Sequence, residues 1–172
     1  MEVGLRRPKA GDAAARAVFG RHPEIVRGYG VELDAPQAMT EKEAEAWVQR
    51  IEANPQAWVI THNGGLVGEI KLFNLNPADQ WACLAIGLAD AGRLGQGIGR
   101  QAIGQCLSIA FRNLGLHRIS IRVLASNARA IACYARCGFI TEGRERQSAR
   151  VGDHWEDDVI MGILAHDYLS AR

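Results

Sequence analysis

Apolar and polar positions alternate with different periods along the chain, and the changes of period mark its elements. From Ile98, apolar residues recur at Ala102, Cys106 and Ala110, with Ile103, Leu107 and Leu114 beside them. That spacing predicts an amphipathic helix, with Gly115 where it stops. Upstream, Trp81-Ala-Cys-Leu-Ala-Ile-Gly-Leu-Ala89 is an apolar run of strand length. Between the two lies Leu94-Gly95-Gln96-Gly97-Ile98-Gly99-Arg100-Gln101, in which glycines alternate. The unit reads strand, glycine turn, helix.

The rest of the chain divides by the same signals. Val3 to Arg7 is a short strand ended by Pro8, and Asp12 is placed to cap a helix over residues 13–19. Residues 20–40 carry glycines, prolines and mixed charges, and predict no regular element. Thr40-x-x-Glu43 is a capping box that opens a helix to about Ala53, closed by Asn54-Pro55. Ala57 to Thr61 and Leu66 to Phe73 read as strands around an Asn63-Gly64 or Gly64-Gly65 turn. Asn74 to Gln80 reads as a loop. Arg118 to Leu124 alternates as a strand. Ser126 or Asn127 then caps a helix over 128–136, with Gly138 just past its end. Residues 139–146 and 155–164 form a final hairpin around 151–153. The order β-α-α-β-β-β-α-β-α-β-β is that of a mixed α/β sheet in one domain, 1–172.

Composition narrows the class. With 172 residues, 48% hydrophobic and 23% charged, the chain can bury a full core. A net charge of +1 gives no electrostatic case for nucleic acid or a membrane surface. No apolar run is long enough to span a bilayer. The first residues, Met-Glu-Val-Gly-Leu-Arg-Arg-Pro, lack the apolar stretch of a signal peptide. Cys83, Cys106, Cys133 and Cys137 lack metal-ligand spacing and read as reduced, mostly buried thiols. A cytoplasmic protein without a metal site is expected.

The glycine turn is the candidate chemistry. Glycine at alternate positions lets backbone N–H groups converge without Cβ clashes. A helix N-terminus behind them adds about half a positive charge. The result is an anion seat, suited to a phosphate or pyrophosphate. A P-loop is excluded, because Arg100 and Gln101 stand where Lys and Ser or Thr would. Gly97 to Ala102 matches a dinucleotide fingerprint, but Ile119 to Leu124 lacks the acidic residue that would hold a ribose. The seat is therefore read as one for a phosphate other than NAD.

The chain resembles the GNAT superfamily of N-acetyltransferases, nearest its ribosomal-protein-alanine and spermidine N-acetyltransferase-like branch. Three stretches carry the resemblance. Gly95-Gln96-Gly97-Ile98-Gly99 is similar to the family's acetyl-CoA pyrophosphate loop. Asn127-Ala-Arg-Ala-Ile131-Ala-Cys-Tyr134-Ala-Arg-Cys-Gly138-Phe139 resembles its Asn-x-x-(Ala/Ser)-Ile-x-x-Tyr-x-x-x-Gly-Phe signature. Gly143, Trp155, Asp158 and Met161 resemble the branch's closing hairpin. Gly68-Glu69-Ile70, and Arg7-Pro8 with Asp12, fit more weakly. Leu94 departs from the pattern, since the family loop opens on Arg or Gln; Arg93 stands one place early and Arg100 follows the loop.

The resemblance implies a mixed, mostly antiparallel central sheet flanked by helices, with acetyl-CoA as cosubstrate. It implies cofactor contacts from Leu88, Ala89, Gly95, Gln96, Gly97, Ile98, Gly99, Arg100 and Asn127. It gives Tyr134 the role of general acid to the leaving thiolate; read alone, Tyr134 is a core tyrosine beside Ile131. Asn127 is a helix cap in either case, with its NH₂ left for the cofactor. Glu69, mid-strand on the face of Val67 and Lys71, is the candidate general base acting through water. Asp90 reads as a turn or cap residue and His117 as a surface residue. Backbone N–H groups near Gly87 to Ala89 are expected to meet the oxyanion, with Gly87 marking a bulge.

The acceptor is expected to be a primary amine. A lysine-like amine with pKa near 10.4 spends about 4.6 kcal/mol to be neutral at pH 7, and an α-amine near 7.8 about 1.2. With no commanding base in the sequence, the α-amine of a protein or peptide ranks first. A polyamine, an aminoglycoside or another small amine ranks next. The acidic lean of Glu24, Glu32, Asp34, Glu41, Glu43 and Glu45 fits a cationic acceptor or a solvated surface. A CoA-binding module without activity is the rival class, and the presence of both Asn127 and Tyr134 argues against it. A homodimer stays open.

Overall fold

A computed structural model of the chain describes residues 2–170; Met1, Ala171 and Arg172 at the ends of the 1–172 reading lie outside it. The elements are β1 (Val3–Arg6), α1 (Asp12–Phe19), α2 (Pro23–Val26), α3 (Glu41–Ala53), β2 (Ala57–His62), β3 (Gly65–Asn76), β4 (Trp81–Leu88), α4 (Ile98–Ser108), β5 (Arg118–Leu124), α5 (Ala128–Arg136), β6 (Ile140–Val151), β7 (His154–Leu164) and α6 (Ala165–Ser170). They form a seven-stranded sheet in the order β1-β2-β3-β4-β5-β7-β6. Every neighbouring pair is antiparallel except β4 with β5. Among the described residues no helix is long and apolar enough to cross a membrane.

The parallel pair fixes the site. β4 and β5 pair only over Trp81–Cys83 and Arg118–Ser120. Beyond that they separate, and the sheet opens between residues 84–88 and 121–124. On one face, α4 buries Ile98, Ala102, Ile103, Cys106 and Leu107 against the sheet, and α5 adds Tyr134 to the same core. Each fully buried Ile or Leu stabilises by about 1.5–3 kcal/mol. On the other face, α1 and α3 cover Val59 and Leu66 with Ala15, Phe19, Trp47 and Ile51.

Several expectations are corrected. Asp12 does not cap α1; Gly11 holds the cap position in a left-handed conformation. Asp12 is instead buried, accepting Arg6 Nη1 and Nη2 (both 2.7 Å) and the Lys9 N–H (2.9 Å). Burial opposes ionisation there, but the Arg6 and Lys9 hydrogen bonds outweigh it and hold the carboxyl below its usual range. Residues 20–40, expected to be irregular, contain α2, with Pro23 in its first turn, and a 3₁₀ turn over Arg27–Tyr29. So short an element shows no period in the sequence. α4 ends in a π turn over Ile109–Asn113, with the Gly115 stop at φ +64°. α6 was not foreseen; Tyr168 packs at a tilt against Phe111 and donates to the Gly104 carbonyl (3.1 Å). The Thr40–Glu43 capping box and the Asn63-Gly64 turn form as expected, both turn residues having positive φ.

Candidate active site

The separated strands and the helices over them enclose a cleft of about 880 Å³. Its floor is the exposed edge of β4. The Ala89 N–H donates to the Val67 carbonyl (2.7 Å), and Gly68 faces Leu88 across the ladder. In an antiparallel pair this alternation turns Gly87 and Ala89 toward β3, and turns the N–H and C=O of Ile86 and Leu88 away from it. With β5 gone, those groups face the cleft. Within the stretch expected to supply oxyanion donors, the Gly87 and Ala89 amides are committed to β3, and the Leu88 amide, with that of Ile86 beside the stretch, is left unpaired. Ala89 is buried and is not a cleft residue, while Leu88 is.

The glycine turn closes one end. Asp90 accepts the Gly92 N–H (2.9 Å) and caps a 3₁₀ turn over Ala91–Arg93. Gly95 (φ +78°) and Gly97 (φ +79°) follow in left-handed conformations, and a Cβ at either would touch nothing within 4 Å. Glycine is required there by backbone torsion, not by crowding. Gly97 precedes α4, so Ile98, Gly99 and Arg100 begin the helix with unpaired N–H groups at its positive end. Leu94, Gly95, Gly97, Ile98, Gly99 and Arg100 line the cleft; Gln96 does not, and its side chain clasps the Gly92 carbonyl (2.8 Å). Arg93 donates to His62 Nδ1 (2.5 Å) and Asp90 (3.3 Å). The Arg100 guanidinium makes no hydrogen bond to a described residue.

Tyr29 escaped the sequence reading. It comes from the 3₁₀ turn in the stretch without pattern, and its hydroxyl donates to the Ile86 carbonyl (3.2 Å), one of the β4 groups turned away from β3. The residue is 56% exposed and lines the cleft. Burial, then the neighbouring Glu69, pushes its pKa up to about 12. Gly87 is not a bulge, since β3 and β4 pair in even register from Gly68–Leu88 to Phe73–Cys83. It is glycine because a Cβ there would lie 1.9 Å from the Tyr29 hydroxyl. Gly87→Ala is therefore expected to displace Tyr29 and lower turnover, and Gly87→Ala with Tyr29→Phe to recover part of the loss by removing the oxygen. Equal turnover of the single and double variants would show that the two do not compete for this space.

Glu69 faces Gly87 across the ladder, so it shares a sheet face with Tyr29. Val67 does not, contrary to the expected grouping. The register shift opposite Ile60 and Thr61 puts Val67 in the core with Ile70, while Glu69 lies opposite Val59 on the α1/α3 face. Glu69 is half-buried, and its carboxylate has no hydrogen bond or ion pair among the described residues. Arg16, the cation that acts on it at longer range, is held by the Gly20 carbonyl (2.9 Å) over the Trp47 ring (5.9 Å).

Tyr134 approaches the opening from the opposite face. Its ring packs on Phe139 (6.1 Å between centroids), and it lines the cleft while only 8% exposed. Its hydroxyl has no hydrogen-bond partner among the described residues and is not fully enclosed, so it opens on the cleft. Burial, then Tyr29, Cys133 and Cys137, raises its pKa well above that of free tyrosine. Asn127 caps α5 through Oδ1, which accepts the Ala130 N–H (3.1 Å), and its Nδ2 lies against Gly28, where a Cβ would come within 2.9 Å. Of the thiols, only Cys106 is fully buried; Cys83, Cys133 and Cys137 are half-buried. His117 is exposed. Two residues of the acidic lean are already paired, Glu24 with Arg129 and Glu43 with Arg21 (both 2.5 Å).

Comparison with known proteins agrees with this geometry. The spermidine N(1)-acetyltransferase of Vibrio cholerae is 30% identical over 105 residues, 61% of this chain and 60% of that protein. The putative ribosomal N-acetyltransferase YdaF of Bacillus subtilis is 28% identical over 109 residues, 63% of this chain and 59% of that protein. The chain thus spans about three fifths of the length of these curated relatives. A crystal structure of the Vibrio cholerae spermidine N-acetyltransferase in complex with CoA and spermine superposes with a TM-score of 0.79 at 25% identity, covering 97% of this chain and 98% of that one. The model of the acetyltransferase (GNAT) domain matches residues 2–140, and the chain belongs to the GNAT acetyltransferase family.

Proposed function

We propose that the protein transfers the acetyl group of acetyl-CoA to a primary amine of a small polyamine, by direct attack of the amine on the thioester. The observation that carries this reading is the opened β4–β5 edge. There, the anion seat at one end, the free Leu88 groups and Ile86 N–H along the floor and the Tyr134 hydroxyl share one cleft. The amides of Gly97 to Arg100 and the uncommitted Arg100 guanidinium hold the pyrophosphate, with Arg100 taking the part of the arginine missing at Leu94. The pantetheine arm pairs with the β4 edge, beside Asn127. As the amine nitrogen bonds to the carbonyl carbon, the oxygen gains charge and the Leu88 N–H meets it. The C–S bond breaks, and Tyr134 gives the thiolate its proton. The ammonium proton leaves through water to Glu69.

The order of acceptors differs from the one the sequence alone favours. Relatives named for spermidine move the polyamine ahead of the peptide α-amine. Glu69 fits that change, being a half-buried carboxylate with no ion-pair partner on the acceptor side of Tyr29. A polyamine amine is almost wholly protonated at neutral pH, so it needs a base where an α-amine does not. Glu69→Gln is expected to lower kcat/KM for spermidine by about 10²–10⁴-fold and to shift the rise of the pH–rate profile toward the amine's own value near ~10. An unchanged spermidine rate in Glu69→Gln, together with a preferred peptide acceptor whose profile rises near ~8, would restore the α-amine reading.

A further inference from the structure

We infer that Cys133 and Cys137 form a redox-modification site on the wall of the anion seat, oxidised by a hydroperoxide to a reversible intramolecular disulfide. The two thiols lie four residues apart at the end of α5, and both sulfurs face the first turn of α4. Cys133 Sγ is within 3.9 Å of a Cβ built on Gly99, and Cys137 Sγ is 3.9 Å from the Arg100 carbonyl. Cys133 lines the cleft, so a small solute reaches it. Nothing in the proposed transfer uses either thiol.

The surroundings divide the labour between them. The neighbouring Cys137 side chain, then the positive Arg136 and Arg100, favour the Cys133 thiolate against the effect of burial. The same contact pushes Cys137 up. Cys133 lines the cleft and Cys137 does not, so a peroxide meets Cys133 first, and its thiolate attacks while Cys137 resolves. By contrast, burial pushes Cys106 up to about 12 and also raises Cys83.

In the first step the Cys133 thiolate attacks one oxygen of hydrogen peroxide. An S–O bond forms, the O–O bond breaks, sulfur is oxidised to sulfenic acid and hydroxide leaves. In the second step the Cys137 sulfur attacks that sulfur, an S–S bond forms and water leaves. Residues four apart on a helix have Cβ atoms about 5–6 Å apart, and a disulfide needs about 3.5–4.5 Å. Cys137 is the last residue before Gly138 at φ +99°, so the helix end can yield. The bond is then strained and easily reduced, as suits a reversible switch. Closing it pulls the end of α5 across the first turn of α4, and on the proposed reading this weakens CoA binding.

The test treats the protein with hydrogen peroxide and maps it by mass spectrometry. Trypsin cuts after Arg136, so the two thiols fall on separate peptides that a disulfide would join. The wild type is expected to lose two hydrogen masses through a 133–137 link, while Cys137→Ser gives a dimedone-trapped sulfenate at Cys133 and Cys133→Ser gives neither. Calorimetry is expected to show several-fold weaker CoA binding after oxidation, restored by dithiothreitol. Oxidation at Cys83 or Cys106 ahead of Cys133, or an oxidised form that binds CoA unchanged, would overturn the inference. A reduced protein that binds no CoA would instead overturn the proposed function, while the peptide map still decides the thiol pair.

Discussion

Tyr134→Phe is expected to lower kcat by about 10²–10⁴-fold while leaving CoA affinity little changed. Phenylalanine keeps the ring that packs on Phe139, so the core around α5 stays filled. It removes only an oxygen that has no hydrogen-bond partner among the described residues, so no buried group is orphaned. A merely structural tyrosine would therefore give a variant with wild-type kcat. As general acid, the same change removes the proton that the departing thiolate needs. The raised pKa of Tyr134 keeps that proton in place throughout the neutral range. Single-turnover kinetics alongside calorimetry with CoA separates the two cases. Wild-type chemistry in the variant would return Tyr134 to the core.

Gly97→Val is expected to act on binding instead. Gly97 has φ +79° at the start of α4, where a β-branched residue is strained at about 1–3 kcal/mol. A Cβ there would meet nothing within 4 Å, so the fold is expected to survive with the turn altered. The cost then falls on the amides that converge on the anion. A CoA affinity lower by about 10–100-fold is expected, because about 1.4 kcal/mol is a factor of ten. Calorimetry on a variant with unchanged thermal unfolding checks it; unchanged affinity would remove the turn from the cofactor site.

The strand–turn–helix unit was legible because periodic apolar positions and alternating glycines are local signals, and α4, β4 and the turn form where they are read. The Asn127 cap and the Tyr134 position follow from the same local logic. What stayed hidden depends on distant contacts. Tyr29 belongs to a stretch with no period, and its importance appears only when Gly87, far along the chain, is found against its hydroxyl. Asp12 has cap chemistry, yet Arg6 across the strand–helix corner claims it. The face of Val67 was misread because one extra residue in β3 shifts the alternation. The ladder parity that commits Gly87 and Ala89 to β3 cannot be seen without knowing that pairing. Gln96 is held at the surface by the loop's own Gly92 carbonyl, and Arg93 is tied to His62, contacts that local sequence does not show.

The most direct test incubates the protein with acetyl-CoA and equal concentrations of spermidine and a peptide with a free N-terminus. Thiol release is followed while the products are identified by mass. The expected result is free thiol in step with mono-acetylated spermidine, with the peptide largely unmodified. Thiol release no faster than in buffer, from a protein that nonetheless binds CoA, would contradict acetyl transfer and leave a binding module in its place.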